Sequence, residues 1–104
     1  MKKIISGRRY DTATATLVHE ASANCPRNDF AWWSEDLYRT PKGIWFVVGE
    51  GGPMSRYAHT VGNTTTGSSD ELRPISAQQA REWLEHYGTA ELVEEHFRAE
   101  LVDA

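Results

Sequence analysis

Residues 30–50 constrain the fold more than any other stretch of this chain. Phe30 to Arg39 and Ile44 to Glu50 are two strand-length runs flanking Thr40-Pro41-Lys42-Gly43. Proline presets φ at the first corner of a tight turn, and glycine takes the left-handed position that closes it. Aromatic and aliphatic side chains fill both arms, with Trp32, Trp33, Leu37 and Tyr38 facing Trp45, Phe46, Val47 and Val48. Aromatic and β-branched types among them suit a pleated, half-buried surface. The segment reads as a β-hairpin. Trp32-Trp33 in its first arm then places one ring on each face.

Upstream, Lys3 to Thr12 reads as two short strands around Ser6-Gly7. A single helical turn follows, begun by Asp11 and Thr12, whose side-chain oxygens satisfy free amides. Thr14 to Ser22 is a further strand-like run with only partial alternation around Leu17, Val18 and His19. Asn24 to Asp29 is a loop by composition. Downstream, Gly49-Glu50-Gly51-Gly52-Pro53 ends the second arm, and Met54 to His59 reads as a short helix or an irregular packing segment.

Thr60 to Asp70 is Thr, Ser, Gly, Asn and Asp around one Val, too polar to offset its ordering entropy, and is expected as a mobile loop at about 60–70. Leu72-Arg73-Pro74-Ile75 returns to a sheet edge, where the missing proline donor is tolerated. Ser76-Ala77-Gln78-Gln79 has capping-box spacing. Ala80, Trp83, Leu84 and Tyr87 follow at helical intervals, with Gly88 as a left-handed stop. Thr89 caps a second helix that carries Leu92, Val93, His96, Phe97 and Leu101 on one side. The sum is one small α+β domain over residues 1–104. Antiparallel hairpins occupy its N-terminal two-thirds, and two C-terminal helices pack on the sheet.

Composition narrows the function classes. The longest strongly apolar run, Ile44 to Val48, is far short of the ~20 residues that cross a bilayer. Met1-Lys2-Lys3-Ile4-Ile5 has no apolar stretch of signal length behind it, so a cytoplasmic protein is expected. The single cysteine, Cys25, excludes an internal disulfide framework and a cysteine-built metal site. Net charge is −4, but residues 1–69 hold 8 basic and 6 acidic groups, while residues 70–104 hold 3 basic and 9 acidic. So acidic a C-terminal third repels nucleic acid, and direct nucleic-acid binding by it is disfavoured.

No catalytic constellation emerges. The Gly49–Gly52 run lacks the lysine and Ser/Thr pair of a phosphate loop, and a glutamate within it repels phosphate. His19, His59, His86 and His96 form no ligand-spaced pair, so no metal and no cofactor is expected. Cys25 lacks the electropositive setting of a nucleophile. Glu35 and Asp36 are adjacent on a strand, point to opposite faces, and cannot act as an acid–base pair. Two features remain. Glu82, Glu85, Glu91, Glu94 and Glu95 crowd two short helices, a patch suited to a basic groove. Glu94 is spaced to pair with Arg98 one turn on. Trp32 or Trp33 supplies an apolar anchor of the kind enriched at interfaces. The plain alternatives are a solvated helical face and a ring packed beneath the helices.

Three blocks add up to a family resemblance. Lys3 to Ala15 resembles the opening KIINGKRYDTETA of a family of small proteins from phages and integrative elements. Leu37 to Gly43 through Phe46, with Gly49 to Ala58, is similar to the family's central block, and Leu72 to Ser76 with Ala80 to Trp83 to its helix entry. Several members look like anti-CRISPR proteins. The resemblance implies a cytoplasmic, non-enzymatic inhibitor that binds a CRISPR-Cas effector, Cascade or a Cas nuclease, while a free strand edge or the aromatic surplus leaves open both monomer and homodimer. The competing expectation is a nucleic-acid-binding accessory protein of a mobile element, using Lys2, Lys3, Arg8, Arg9 and Arg56 with aromatic stacking.

Overall fold

The computed structural model describes residues 1–61 and 64–104. Its strands in chain order are β1 (Lys2–Ile5), β2 (Arg8–Asp11), β3 (Thr16–Ser22), β4 (Trp33–Arg39), β5 (Trp45–Gly51), β6 (His59–Val61), β7 (Thr64–Thr66) and β8 (Ser68–Ile75). Helices α1 (Ala77–Tyr87) and α2 (Ala90–Phe97) follow, with a 3₁₀ turn at Arg98–Glu100. The central sheet is antiparallel in the order β3-β4-β5-β8, and β1–β2 and β6–β7 are separate hairpins. The α+β architecture is the one the sequence predicts.

The hairpin of residues 30–50 is β4–β5, with Leu37 opposite Val47 and Arg39 opposite Trp45. Gly43 holds φ at 84°, and its N–H donates to the Thr40 carbonyl at 2.8 Å, which closes the turn. Alternation along the strands divides the apolar side chains between two faces. Leu37, Trp45 and Val47 join Ala80, Trp83, Leu84, Val93 and Phe97 of the helices in one core. Phe46 and Leu72 join Tyr10 of β2 in another. The molecule therefore has three layers: the β1–β2 hairpin, the sheet, and the helix pair. Pro74 lies in β8, an edge strand, as its missing donor requires. Among the described residues no helix is long and apolar enough to cross a membrane.

The helix signals operate as read. Ser76 and Gln79 satisfy each other's backbone in a capping box, and Thr89 Oγ1 accepts the Leu92 N–H at 3.3 Å. The two-residue hinge Gly88-Thr89 turns the chain back. Gly88, however, is extended at φ −98° and not left-handed. A Cβ there would meet Leu84 at 2.9 Å, so close approach is the reason for glycine. His19 Nε2–H donates to the Tyr87 carbonyl at 3.1 Å and satisfies one of the free carbonyls at the end of α1.

Three further local expectations change. The first arm begins at Trp33, so Trp32 belongs to the preceding turn and the two rings do not divide between strand faces. β5 runs on to Gly51, because β8 pairs with it there after a register shift. Residues 60–70, expected as a loop, contribute to β6, β7 and the start of β8, and residues 62–63 lie outside the described residues. The partial alternation of β3 is a bulge at Val18, between the pairs Leu17–Tyr38 and His19–Leu37.

Asp36 lies on the face opposite the helices, directly across from Glu20 and diagonal to Glu50. Burial, then the charges of Glu20 and Glu50, push its carboxyl above the usual carboxylate range. A raised folded-state value means that the native chain holds the proton more tightly than the unfolded chain. Stability from this group is thus present at low pH and lost as pH rises through that range. Asp36→Asn should raise stability at pH 7 by about 0.5 kcal/mol, the scale of like charges opposed across strands. Urea unfolding at pH 7 and pH 3 checks this, since the gain must vanish at the lower pH.

Candidate functional site

Alternation along β4 puts Glu35 on the helix-facing side with Trp33 and Leu37, and its side chain is 1% exposed. A carboxylate taken this far from water must be paired. Oε1 accepts the Trp83 Nε1–H at 2.8 Å, and Oε2 accepts the Tyr57 hydroxyl. Arg56 Nη1 and Arg73 Nη2 approach Oε2 at 3.3 and 3.5 Å. One carboxylate of β4 thereby ties together α1, β8 and the loop 52–58.

The glycine run explains how that loop arrives. A Cβ on Gly49 would lie 1.9 Å from the Tyr57 hydroxyl, so the phenol ring crosses β5 where no side chain stands. Cβ atoms on Gly51 and Gly52 would meet Ser55 Oγ at 2.2 Å and the Phe30 carbonyl at 2.5 Å. Ser55 N–H donates to the Gly52 carbonyl at 3.1 Å, and Ser55 Oγ accepts the Tyr57 N–H at 3.1 Å. The run is a packing surface over which Arg56 and Tyr57 fold back. Burial, then the hydrogen bond to Glu35 and its charge, push the Tyr57 phenol far up, against the smaller opposing pull of Arg73 and Arg56. It stays protonated and donates.

Both oxygens of Glu35 are engaged, so the carboxylate serves as a clamp. Outside it lies a cavity of about 310 Å³ lined by Arg56, Arg73, Gln79, Glu82, Trp83 and His86, and Arg73 Nε is buried without a hydrogen-bond partner among the described residues. The sequence reading assigned Glu35 and Asp36 correctly to opposite faces and missed the clamp. Its one signal was a carboxylate at the same strand parity as Trp33 and Leu37.

Glu82, Glu85, Glu91, Glu94 and Glu95 are all exposed on α1 and α2. Glu85 and Glu94 come together on a groove of about 310 Å³ between the helices, beside Leu84 and Val93. Glu82 is set apart, lining the cavity of Arg56 and Arg73, and accepts from Gln78 Nε2 at 3.1 Å. Glu85 lies 4.0 Å from Arg81, whose guanidinium also reaches Glu100 at 3.5 Å. Glu95 lies 3.6 Å from His96 Nε2. Glu91 stands in the first turn of α2, where the helix dipole favours an anion. The expected Glu94–Arg98 pair does not form, because α2 ends at Phe97 and Arg98 opens a 3₁₀ turn that breaks the four-residue spacing.

Trp33 packs against Tyr87 of α1 at 5.2 Å between ring centres, the plain alternative for that residue. Trp32 is half-buried under the Arg27 guanidinium, 4.5 Å from its ring centre. The large exposed apolar groups nearby are Phe30 and Met54, tied together by the Met54 N–H donating to the Phe30 carbonyl at 2.8 Å. Of the cations read as a nucleic-acid set, Arg56 is bound to Glu35, while Lys2, Lys3, Arg8 and Arg9 lie on β1–β2. Among the described residues, no three His, Cys, Asp or Glu side chains are placed to hold a metal ion. No protein-family model, curated protein or solved structure matches the chain.

Proposed function

We propose that this chain is a stoichiometric, non-enzymatic inhibitor of the anti-CRISPR type, acting in the bacterial cytoplasm. It docks on a CRISPR-Cas effector, Cascade or a Cas nuclease, and blocks nucleic-acid binding. The observation that carries the reading is the exposure of all five helix-pair carboxylates, with Glu85 and Glu94 sharing one groove. Residues 77–104 hold seven acidic side chains against Arg81 and Arg98. A channel built to neutralise phosphates attracts such a face over long range. The target class comes from the resemblance of the three sequence blocks.

The buried clamp supports the same reading. Trp83 ties α1 to Glu35, and the two-residue hinge holds α2 beside α1, so the carboxylates are spaced before any partner arrives. Preorganisation of this kind lowers the ordering cost of association. Trp32, with the exposed Phe30 and Met54, supplies the apolar contact, and Trp33 acts from beneath α1.

Affinity capture from bacteria expressing candidate Cas complexes, followed by titration against the captured effector, tests the proposal. Inhibition should saturate at one inhibitor per site. Joint reversal to lysine of Glu82, Glu85, Glu91, Glu94 and Glu95 should weaken binding at least tenfold with the circular dichroism spectrum unchanged. Binding within twofold of the parent would remove the acidic-face mechanism, and full inhibition at far below one equivalent would make the protein an enzyme.

A further inference from the structure

A cavity of about 620 Å³ lies between the β1–β2 hairpin and the β4–β5 turn, with Arg8, Arg9, Thr14, Thr40 and Lys42 in its lining. Strand alternation puts Arg8 on the same face of the hairpin as Ile5 and Tyr10, which pack toward the sheet. Arg8, Arg9 and Lys42 have no carboxylate within 4.0 Å among the described residues. Asp11 also lines the cavity, but its Oδ1 accepts the Ala13 N–H at 2.9 Å. Thr40 Oγ1 accepts the Ile44 N–H at 3.0 Å, which leaves its own proton free to donate.

On the other side of the same turn, a second cavity of about 420 Å³ shares Thr40, Pro41 and Lys42 and adds Arg39 and His96 of α2. Arg39 Nη1 donates to His96 Nδ1 at 3.1 Å and likewise has no carboxylate partner among the described residues. Three cations, Arg8, Arg9 and Lys42, thus line one cavity of a protein whose net charge is −4, and Arg39 lies across the turn against α2. Clustered cations of this kind repel one another until an anion sits among them. Guanidinium forks and a lysine match phosphate oxygens in geometry and charge, and the cavity volume exceeds what a single phosphate needs. The acidic helices stand on the other face of the sheet from the larger cavity, whereas the smaller one lies against His96 of α2.

We infer that the β4–β5 turn and the hairpin beside it form a binding site for linked phosphates. That chemistry is shared by the polyphosphate of a free nucleotide and the backbone of a single-stranded nucleic acid. The site is independent of the acidic helical face.

The test uses the full chain at low ionic strength, titrated with sodium tripolyphosphate and, separately, with a fluorescein-labelled 20-nucleotide oligo-dT read by anisotropy. Arg8→Ala/Lys42→Ala should weaken binding at least tenfold. The equal-charge control Arg27→Ala/Arg98→Ala, whose positions lie outside both cavities, should change it less than twofold. For the oligonucleotide, the cavity variant should also lower the slope of log affinity against log salt by about 1.4, two contacts at roughly 0.7 each. Tight binding of tripolyphosphate assigns a free polyphosphate, and binding of the oligonucleotide alone assigns a strand. Binding of neither probe, or equal losses in both double variants, overturns the site.

Discussion

Glu35→Ala should destabilise the protein by about 4 kcal/mol, within the range for breaking a buried ion pair. The substitution leaves the Trp83 Nε1–H and the Tyr57 hydroxyl without their acceptor, each costing roughly 1–3 kcal/mol when buried. It also leaves Arg56 and Arg73 side by side. Both arginine side chains keep contact with water, at 54% and 37% exposed, so the residual repulsion is modest. A chain of this length has a total stability of about 5–15 kcal/mol, and the loss is a large share of it. Urea unfolding followed by tryptophan fluorescence measures the change. If the alanine variant does not fold, Glu35→Gln, which keeps the volume and one acceptor, should still cost about 2 kcal/mol. A loss below 1 kcal/mol in both variants would show that the clamp does not hold the helices down. The Tyr57 phenol, raised in the folded state, contributes stability that is complete below its ordinary value of 10.0 and is lost only as pH rises beyond it.

Gly49→Ala should cost about 3 kcal/mol, at the upper end for overpacking a filled site. The new methyl group would fall 1.9 Å from the Tyr57 hydroxyl and 2.2 Å from the ring carbon that bears it. Either the ring leaves Glu35 or β5 moves away from its neighbours. A double-mutant cycle separates this contact from any general intolerance of the strand. In a Tyr57→Ala background the same glycine substitution should cost less than 1 kcal/mol, a coupling of about 2 kcal/mol or more. Additive losses would place the ring elsewhere.

These two positions mark where sequence reasoning ran out. The turn at Thr40–Gly43, the capping box at Ser76, the Thr89 cap and the edge position of Pro74 were legible in advance. So was the exposure of the five glutamates, because helical periodicity assigns a face as soon as the apolar stripe is recognised. Less was legible about their grouping. Glu85 and Glu94 share a groove, and Glu82 faces two arginines, because of how α1 lies against α2 and against β8.

What the chain settles by itself are features closed within four residues, where the partner's identity and spacing are both printed in the sequence: the Gly43–Thr40 turn bond and the Ser76–Gln79 cap. The clamp joins Glu35 to groups 21, 22, 38 and 48 residues away. The extension of β5 to Gly51 and the start of β8 likewise rest on pairing between residues far apart in the chain, Gly51 with Ser68. Only the tertiary structure decided those, because a buried charge or an unpaired strand is stable only when distant parts of the chain supply the missing donors at one point in space.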